Sequence, residues 1–345
     1  MKNIFKIAFA YVAALVGAGF ASGQEIISFF VKYGKISAAG VILSAILFGI
    51  FAVVVLCGCI ELKTVCYAEY LESIMPKPFV RYTEIITFLY GIAVFCVMVS
   101  CFGEMGYVLW GIENFKGVIF LCMMCAALMI LGTDKAMDFN AVLGIIIIIG
   151  IISCCIYVLA YREHQTFSNT SRMALSSISY SGYNLITAGS VLAPMSKNIK
   201  SRFEAWMVGI ISAAAMFMMM ILIWAIMGIY YNKINMGEIP MLTMVMRQNK
   251  PLTVIYSLML WAALISTAIS NGICCVNILC STISRGMAIV LVTVMGLCLS
   301  GVGFSALINI AYRICGYAGI VVIAYLYFNF IKKGRKLKKY RDNKR

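Results

Sequence analysis

Long apolar segments alternate with short polar stretches along the whole chain. A helix needs about 20 apolar residues to cross a bilayer, and ten segments reach or nearly reach that length. They cover 4–33, 36–60, 83–111, 116–132, 139–160, 174–193, 203–231, 252–282, 287–300 and 303–331. Apolar residues are continuous in each segment and do not alternate with polar ones, which argues against transmembrane strands. The pattern predicts an all-α integral membrane protein with about ten transmembrane helices.

The composition supports a lipid environment. Of the 345 residues, 63% are hydrophobic and 12% are charged, whereas soluble domains contain about 25% charged residues. The net charge of +15 is typical of some nucleic-acid-binding proteins, but nine Lys and Arg residues are concentrated in 332–345, directly after the last segment. A basic stretch in that position indicates a cytoplasmic end that contacts anionic lipid headgroups. We therefore expect one membrane domain over 1–331, a basic cytoplasmic tail over 332–345 and no nucleic acid partner.

The basic residues also predict the orientation of the chain. Of the 28 Lys and Arg residues, 19 lie at the termini or in loops on the same side, 8 lie on the opposite side, and Arg313 lies inside a segment. Because basic loops remain in the cytoplasm, both termini are predicted to be cytoplasmic. The ten segments divide into two groups of five, approximately 4–160 and 174–331. An odd number per half gives the halves opposite orientations, as in inverted-repeat transporters.

The first segment contains residues that favour a break in its helix. Gly17, Gly19 and Gly23 are followed by Gln24 and Glu25. Glycine weakens a helix by about 1 kcal/mol relative to alanine, and lipid offers no partners for the freed backbone groups. Close helix packing would also explain the glycines, but not the two polar side chains. We therefore predict a broken helix beside a protected polar site.

The sixth segment contains a corresponding polar run. Hydrogen bonds from serines to their own helix would explain part of it. We predict instead an unwound stretch that lines a substrate site, formed by Ser181, Gly182, Tyr183 and Asn184. Interrupted segments at matching places in two halves are a strong sequence indication of a transport site.

Three charged residues lie deep within predicted spans, namely Glu25, Glu104 and Arg313. With a rise of about 1.5 Å per residue, all three are expected roughly 10–15 Å below the outer surface. Buried charges in membranes are usually paired. We predict one cluster at the outward entrance, in which Glu25 pairs with Arg313. A purely structural salt bridge is the alternative.

The sequence contains no recognisable catalytic constellation. The single histidine of the chain, His164, lies in a polar stretch. The only two aspartates that are close to each other, Asp134 and Asp138, lie in a different, short loop. We therefore expect neither enzyme activity nor an organic cofactor. A transporter-like sensor or assembly protein is the other alternative to a transporter.

The stretch from Tyr11 to Glu25, which reads YVAALVGAGFASGQE and is followed by the remaining spans, resembles the YkvI-like family of bacterial membrane proteins. The chain is thereby similar to the amino acid–polyamine–organocation superfamily, which has the LeuT-type fold of five plus five helices with helices one and six broken. The resemblance implies a transporter of the bacterial plasma membrane that couples sodium or protons to movement of an amino acid or related small organic solute.

The resemblance also implies an ion site. Sodium-coupled members bind the ion between carbonyls of the broken first helix and an Ala-x-x-Ser/Thr-Ser/Thr pattern on helix eight. The corresponding carbonyls here belong to Ala13 and Val16, and the pattern is matched by Ala263, Ser266 and Thr267. Independently of the resemblance, hydroxyl groups at this density supply oxygen ligands for a small cation, although bonds between helices explain them equally well.

The implied substrate site lies at the same break. Backbone amides of Ala18, Gly19 and Phe20, next to Gly17, would hold a substrate carboxylate. Glu25 is not part of the superfamily pattern, so the substrate need not be a simple neutral amino acid. Glu25 or Glu104 would carry a proton in the alternative coupling scheme, because a low-dielectric environment favours the neutral form of a carboxyl group.

Overall fold

The computed structural model describes residues 2–131, 133–160, 173–230, 239–248, 250–302 and 312–342. Apart from three short 3₁₀ turns, the regular elements in this part of the chain are α-helices, which confirms the all-α prediction. In chain order they are α1 (Lys2–Leu15), α2 (Ala18–Ala21), α3 (Gln24–Phe29), α4 (Ser37–Leu62), α5 (Tyr67–Ile74), α6 (Lys77–Trp110), α7 (Asn114–Leu131), α8 (Thr133–Ala160), α9 (Met173–Met195), α10 (Arg202–Tyr230), α11 (Pro240–Gln248), α12 (Lys250–Leu279), α13 (Arg285–Leu299) and α14 (Arg313–Asp342).

Most predicted segments closely match a helix, and the differences concern mainly helix ends. Helices α6 and α8 begin earlier than predicted, because their first turns are polar. Helix α14 continues to Asp342, so much of the basic tail extends the helix of the last segment. The predicted start of that segment, 303–311, lies outside the described residues. Helices α5 and α11 were not predicted, since they are short and lie between apolar segments.

The described helices have the length and surface of a multi-pass membrane protein. Six are long and apolar enough to cross a membrane: Ser37–Leu62, Lys77–Trp110, Asn114–Leu131, Arg202–Tyr230, Pro251–Leu279 and Arg313–Phe330. Shorter apolar helices cover Asn3–Leu15, Ile145–Tyr157 and Arg285–Leu299. Outward-facing side chains are also apolar, as at Ile42, Ile46 and Ile50 of α4, whose exposed fractions are 48%, 50% and 42%. A soluble protein rarely exposes such continuous apolar surface.

Small residues allow the central helices to approach closely. Helix α4 packs against α9 and α10, while α1 packs against α8, α9 and α10. A Cβ atom built on Gly49 of α4 would lie 2.9 Å from the carbonyl oxygen of Gly209 of α10. Close backbone approach of this kind stabilises helix pairs where no hydrophobic effect operates between them. Helices α4 and α6 are mostly buried and α7 and α14 mostly face outward.

Candidate functional site

The first predicted break is present in the structure. Helix α1 ends at Leu15, Val16 and Gly17 are not helical, and α2 begins at Ala18. A second interruption separates α2 from α3 at Gly23, whose φ of +82° lies in the left-handed region that favours glycine. The Ser22 hydroxyl donates to the Gly19 carbonyl at 3.0 Å and accepts from the Gln24 backbone N–H at 3.3 Å. The segment therefore supplies its own polar partners at this turn.

Two other helices supply partners for the carbonyls that this turn frees. The Tyr256 hydroxyl on α12 donates to the carbonyl of Ala21. The backbone N–H of Met241 on α11 donates to the carbonyl of Ser22 at 2.9 Å. Because lipid cannot satisfy these groups, α11 and α12 stabilise the interrupted helix.

Helix α12 also lies directly against the break between α1 and α2. A Cβ atom built on Gly17 would lie 3.3 Å from Cγ2 and 3.5 Å from Oγ1 of Thr267. Ser266 is buried, as are the sodium-site residues predicted around it, Ala13, Val16 and Ala263. The structure thus brings the predicted break and the predicted hydroxyl pattern of α12 into contact.

The Ser266 and Thr267 hydroxyls on this part of α12 are not bonded to their own helix within the described residues, in contrast to several hydroxyls elsewhere in the structure. The hydroxyls of Ser212 and Thr293 each donate to the carbonyl four residues earlier, at 2.8 Å. Within the described residues, neither the Ser266 nor the Thr267 hydroxyl forms such a bond. The Oδ1 atom of Asn271, one turn further on, is buried and has no hydrogen-bond partner in the same part of the chain. This face of α12 therefore presents oxygens suited to binding a small cation.

The predicted unwinding of the sixth segment is wrong, because α9 is continuous from Met173 to Met195. Two of the polar side chains predicted to line the unwound stretch instead bond within the helix. The Ser181 hydroxyl donates to the Ser177 carbonyl at 3.1 Å, and the Asn184 amide donates to the Tyr180 carbonyl at 3.0 Å. Gly182 serves helix packing, since a Cβ atom there would clash with the carbonyl of Gly316 on α14.

A buried carboxylate connects the broken helix to α9. Only 3% of Glu25 is exposed, and its Oε2 accepts a hydrogen bond of 2.9 Å from the Tyr183 hydroxyl. A Cβ atom built on Gly19 would lie 2.9 Å from the carboxyl carbon of Glu25. Gly19 and Tyr183, predicted as substrate residues from different segments, therefore meet at Glu25.

The predicted cluster of three charges is not formed as an ion-paired group. The Arg313 guanidinium donates to the Ser28 carbonyl at 3.4 Å and lies 5.8 Å from the centre of the Phe29 ring. Glu104 accepts a hydrogen bond of 3.1 Å from Asn114. The ion pairs within the described residues are Lys116–Glu113 and Arg202–Glu61. Each of the three charged residues has its own partner. Their similar depth in the sequence segments could not show whether they share a partner or have separate ones.

Sequence reasoning missed the aromatic side chains that pack around Tyr183, the hydrogen-bond donor to Glu25. The centre of the Tyr183 ring lies 5.5 Å from that of Tyr90, 4.8 Å from that of Tyr312 and 5.4 Å from that of Phe29. Tyr180 packs against Tyr183 from the other side, at 5.5 Å. These rings are buried. Tyrosines within strongly apolar segments were the available signal, since a buried hydroxyl needs a polar partner.

Helix α5, which follows α4, also contributes buried tyrosines. The ring of Tyr67 packs against Gly189 of α9, where a Cβ atom would clash with it. The Tyr70 hydroxyl donates to the Val54 carbonyl at 3.4 Å. Burial raises the pKa of both phenols well above the usual range, so they stay neutral. The tyrosines of α5 therefore cover one end of α9 with neutral side chains.

Sequence comparisons find distant relatives. No protein-family model matches the chain. The chain is 21% identical over 327 residues to the uncharacterized protein YyaD of Bacillus subtilis, covering 91% of this chain and 93% of that protein. It is 24% identical over 208 residues to the uncharacterized membrane protein YkvI of the same organism, covering 57% of this chain and 58% of that one.

Solved structures show which fold the chain shares. The chain is similar to MhsT in complex with L-phenylalanine, with a TM-score of 0.67, 14% identity and coverage of 92% of this chain and 87% of that one. It is also similar to a Na⁺-coupled sialic acid symporter, with a TM-score of 0.65, 13% identity and coverage of 95% and 78%. Both are LeuT-fold transporters. The chain therefore has the fold of that group, and the two different ligands show that the fold does not specify a substrate.

Proposed function

We propose that this protein is a secondary active transporter of a small organic solute in the bacterial plasma membrane. In this proposal the chain crosses the membrane ten times, its halves 4–160 and 174–331 form inverted repeats, and both termini are cytoplasmic. The basic tail contacts anionic lipid, and the chain is neither an enzyme nor a nucleic-acid-binding protein. The proposed assignment to the YkvI-like group of the amino acid–polyamine–organocation superfamily is consistent with the distant likeness to YkvI.

The contact between the broken first helix and α12 carries the proposal. Thr267 Oγ1 lies close to Gly17, where α1 has ended and α2 has not begun. A broken helix exposes carbonyls that a continuous helix would use internally. Gly17, next to Thr267, and Gly19, next to Glu25, are separated by one residue, so their Cα atoms lie within about 8 Å of each other. An ion and a substrate bound there would be close enough to influence each other.

Sodium is the coupling ion that we favour. Its proposed ligands are the carbonyls of Ala13, Val16 and Ala263 and the hydroxyls of Ser266 and Thr267. Sodium would connect α1 to α12 and stabilise the conformation in which these helices touch. A bound ion shifts a conformational equilibrium only by its different affinity for the two states. The proposed substrate contacts are the backbone from Gly17 to Phe20 and the side chain of Tyr183.

The test is sodium dependence in the purified protein and in proteoliposomes. Ser266→Ala/Thr267→Ala should abolish sodium-specific thermal stabilisation and sodium-driven uptake. The matched control is Ser212→Ala/Thr293→Ala, which also removes one Ser and one Thr hydroxyl, but from groups bonded to the carbonyl four residues earlier. The Ser212 hydroxyl also lies 3.5 Å from the carbonyl of Ala8 on α1, away from the proposed ion ligands. The control should retain both sodium effects. Stabilisation that is equal in sodium and potassium, or unchanged by the first pair, would rule out this site.

Proton coupling is the second candidate, and the burial of Glu25 favours it. No Lys or Arg forms an ion pair with Glu25 in the described part of the chain, and an apolar environment favours a neutral carboxyl group. Uptake would then follow a proton gradient and be lost in Glu25→Gln. Glu104 is the weaker proton site, since it is less buried and hydrogen-bonded to Asn114. Proton-driven uptake that is lost in Glu104→Gln and retained in Glu25→Gln would reverse this order.

A further inference from the structure

The surroundings of Glu25 are unusual for a buried acid. Its hydrogen-bond donor, Tyr183 of α9, packs against Tyr90 of α6, Tyr180 of α9 and Tyr312 just before α14. All four tyrosines are buried. The carboxylate thus lies among aromatic rings contributed by three separate parts of the chain.

The negative charge of Glu25 is not balanced within the described residues. Tyr183 donates one hydrogen bond to a carboxylate that can accept about four. Arg313, which approaches α3 one turn later, donates to the Ser28 carbonyl instead and lies over the Phe29 ring. An uncompensated buried charge is strongly destabilising. A group of this kind is suited to a cation that arrives from outside the chain.

The aromatic rings indicate the type of cation. Tyrosine faces attract ammonium groups through their electron density, most strongly where water is excluded. Small inorganic cations instead prefer sets of oxygen ligands, which the Ser266–Thr267 face of α12 offers. The two polar features are thus chemically distinct, and the one at Glu25 fits an organic ammonium group.

We propose that the substrate is an organic amine without a carboxylate, and that its ammonium group binds Glu25 between the rings of Tyr90, Tyr183 and Tyr312. This inference rests on the proposed transport function and specifies the substrate class at the same site. The Glu25 carboxylate lies against Gly19, where an amino acid would place its own carboxylate, and two like charges in one site repel each other. The rings contact one another in this structure, so binding requires α3 to move away from α9.

Matched ligand pairs test the proposal on the full-length protein in detergent. Phenethylamine and L-phenylalanine share a side chain, as do isopentylamine and L-leucine, and each pair differs by one carboxylate. Binding is measured by calorimetry and by thermal stabilisation. We expect at least one amine to bind saturably and its amino acid to bind at least 10-fold more weakly, at about 1.4 kcal/mol per factor of ten. Glu25→Gln should weaken amine binding by about 30-fold or more, because truncating one side of a buried charge pair costs several kcal/mol. The control Glu84→Gln, at a partly exposed acid of α6, should bind the amine as the wild type does.

Three results would overturn the proposal: no saturable binding of either amine, an amino acid that binds as tightly as its amine, or unchanged amine binding in Glu25→Gln. The wild-type comparison needs no variant, so a folding defect in Glu25→Gln does not remove the test. Sodium-specific stabilisation is measured on the same samples. If it is present while amines fail to bind, the transport proposal survives and the amine proposal does not. If amines bind but no solute is taken up into proteoliposomes, the amine-binding proposal survives and the transport proposal does not.

Discussion

The hydrogen bond between Tyr183 and Glu25 makes a quantitative prediction, because α9 offers a matched control one turn away. Tyr180 and Tyr183 are both fully buried in the same aromatic cluster. The Tyr183 hydroxyl donates to Glu25. The Tyr180 hydroxyl lies near Asn184 but forms no hydrogen bond in the described part of the chain. Replacing either by phenylalanine removes one oxygen atom and leaves the ring in place.

The expected difference follows from the acceptor. At a pH high enough to ionise Glu25, its hydrogen bond from Tyr183 involves a charged group. Such a bond contributes about 1.5–3 kcal/mol to stability, so Tyr183→Phe should lower the free energy of unfolding by about that amount. Tyr180→Phe removes a hydroxyl that is buried without compensation, so its effect should be near zero or slightly stabilising. Combining Tyr183→Phe with Glu25→Gln should roughly halve the effect of the tyrosine substitution, because charge-assisted hydrogen bonds are about twice as strong as neutral ones.

The assay is denaturant unfolding of the purified variants in mixed micelles, analysed as a double-mutant cycle. Equal destabilisation by Tyr180→Phe and Tyr183→Phe would refute the assignment of the hydrogen bond. An effect of Tyr183→Phe that is unchanged in the Glu25→Gln background would show that the acceptor is not a charged carboxylate.

Three further predictions concern packing and topology. Gly19→Ala should destabilise the protein by about 1–3 kcal/mol through its clash with Glu25. The control Gly106→Ala, at a helical glycine with no neighbour within 4 Å, should stabilise the protein by about 0.4–1 kcal/mol. Equal melting temperatures for the two variants would contradict this prediction. Gly182→Ala should separate α9 from α14 and lower the unfolding free energy by about 1–3 kcal/mol, and a variant as stable as wild type would refute the packing role. In a Cys298→Ser background, which removes the exposed thiol at the outer end of the ninth span, the exposed thiols of Cys66 and Cys280 should react with a membrane-impermeant maleimide in inverted vesicles but not in intact cells. Labelling of intact cells at Cys66 or Cys280 would reverse the proposed orientation.

The break in the first helix could be predicted from the sequence, whereas the course of the sixth segment could not. Around Gly23, glycines and charged or amide side chains occur together, and few continuous membrane helices tolerate that combination. Ser181 and Asn184 were ambiguous, because the same side chains either line a cavity or donate to carbonyls four residues earlier. Only the three-dimensional neighbours, such as Gly316 across from Gly182, distinguish the two cases.

The surroundings of Glu25 could not be predicted because they depend on long-range contacts. Glu25 was identified from its position within an apolar segment, and Arg313 was a reasonable partner by depth. The structure instead gives Glu25 a hydroxyl donor from Tyr183, and it adds rings from Tyr90 and Tyr312 that are distant in sequence. A depth argument fixes position along the membrane normal but not the direction in which a helix points its side chain. The choice among partners at equal depth therefore requires the fold.

The donors to the carbonyls of Ala21 and Ser22 have a consequence for how the molecule can open. Tyr256 and Met241 satisfy these carbonyls from α12 and α11. If α2 and α3 swing away from those helices, both carbonyls lose their donors, and hydrocarbon cannot replace them. Movement of this half of the first segment therefore requires water to enter the gap, because the Ala21 carbonyl loses its Tyr256 donor on α12 even if α11 moves together with α2 and α3. Hydration of the gap and helix displacement become a single event, so a route between these helices that stays dry is excluded.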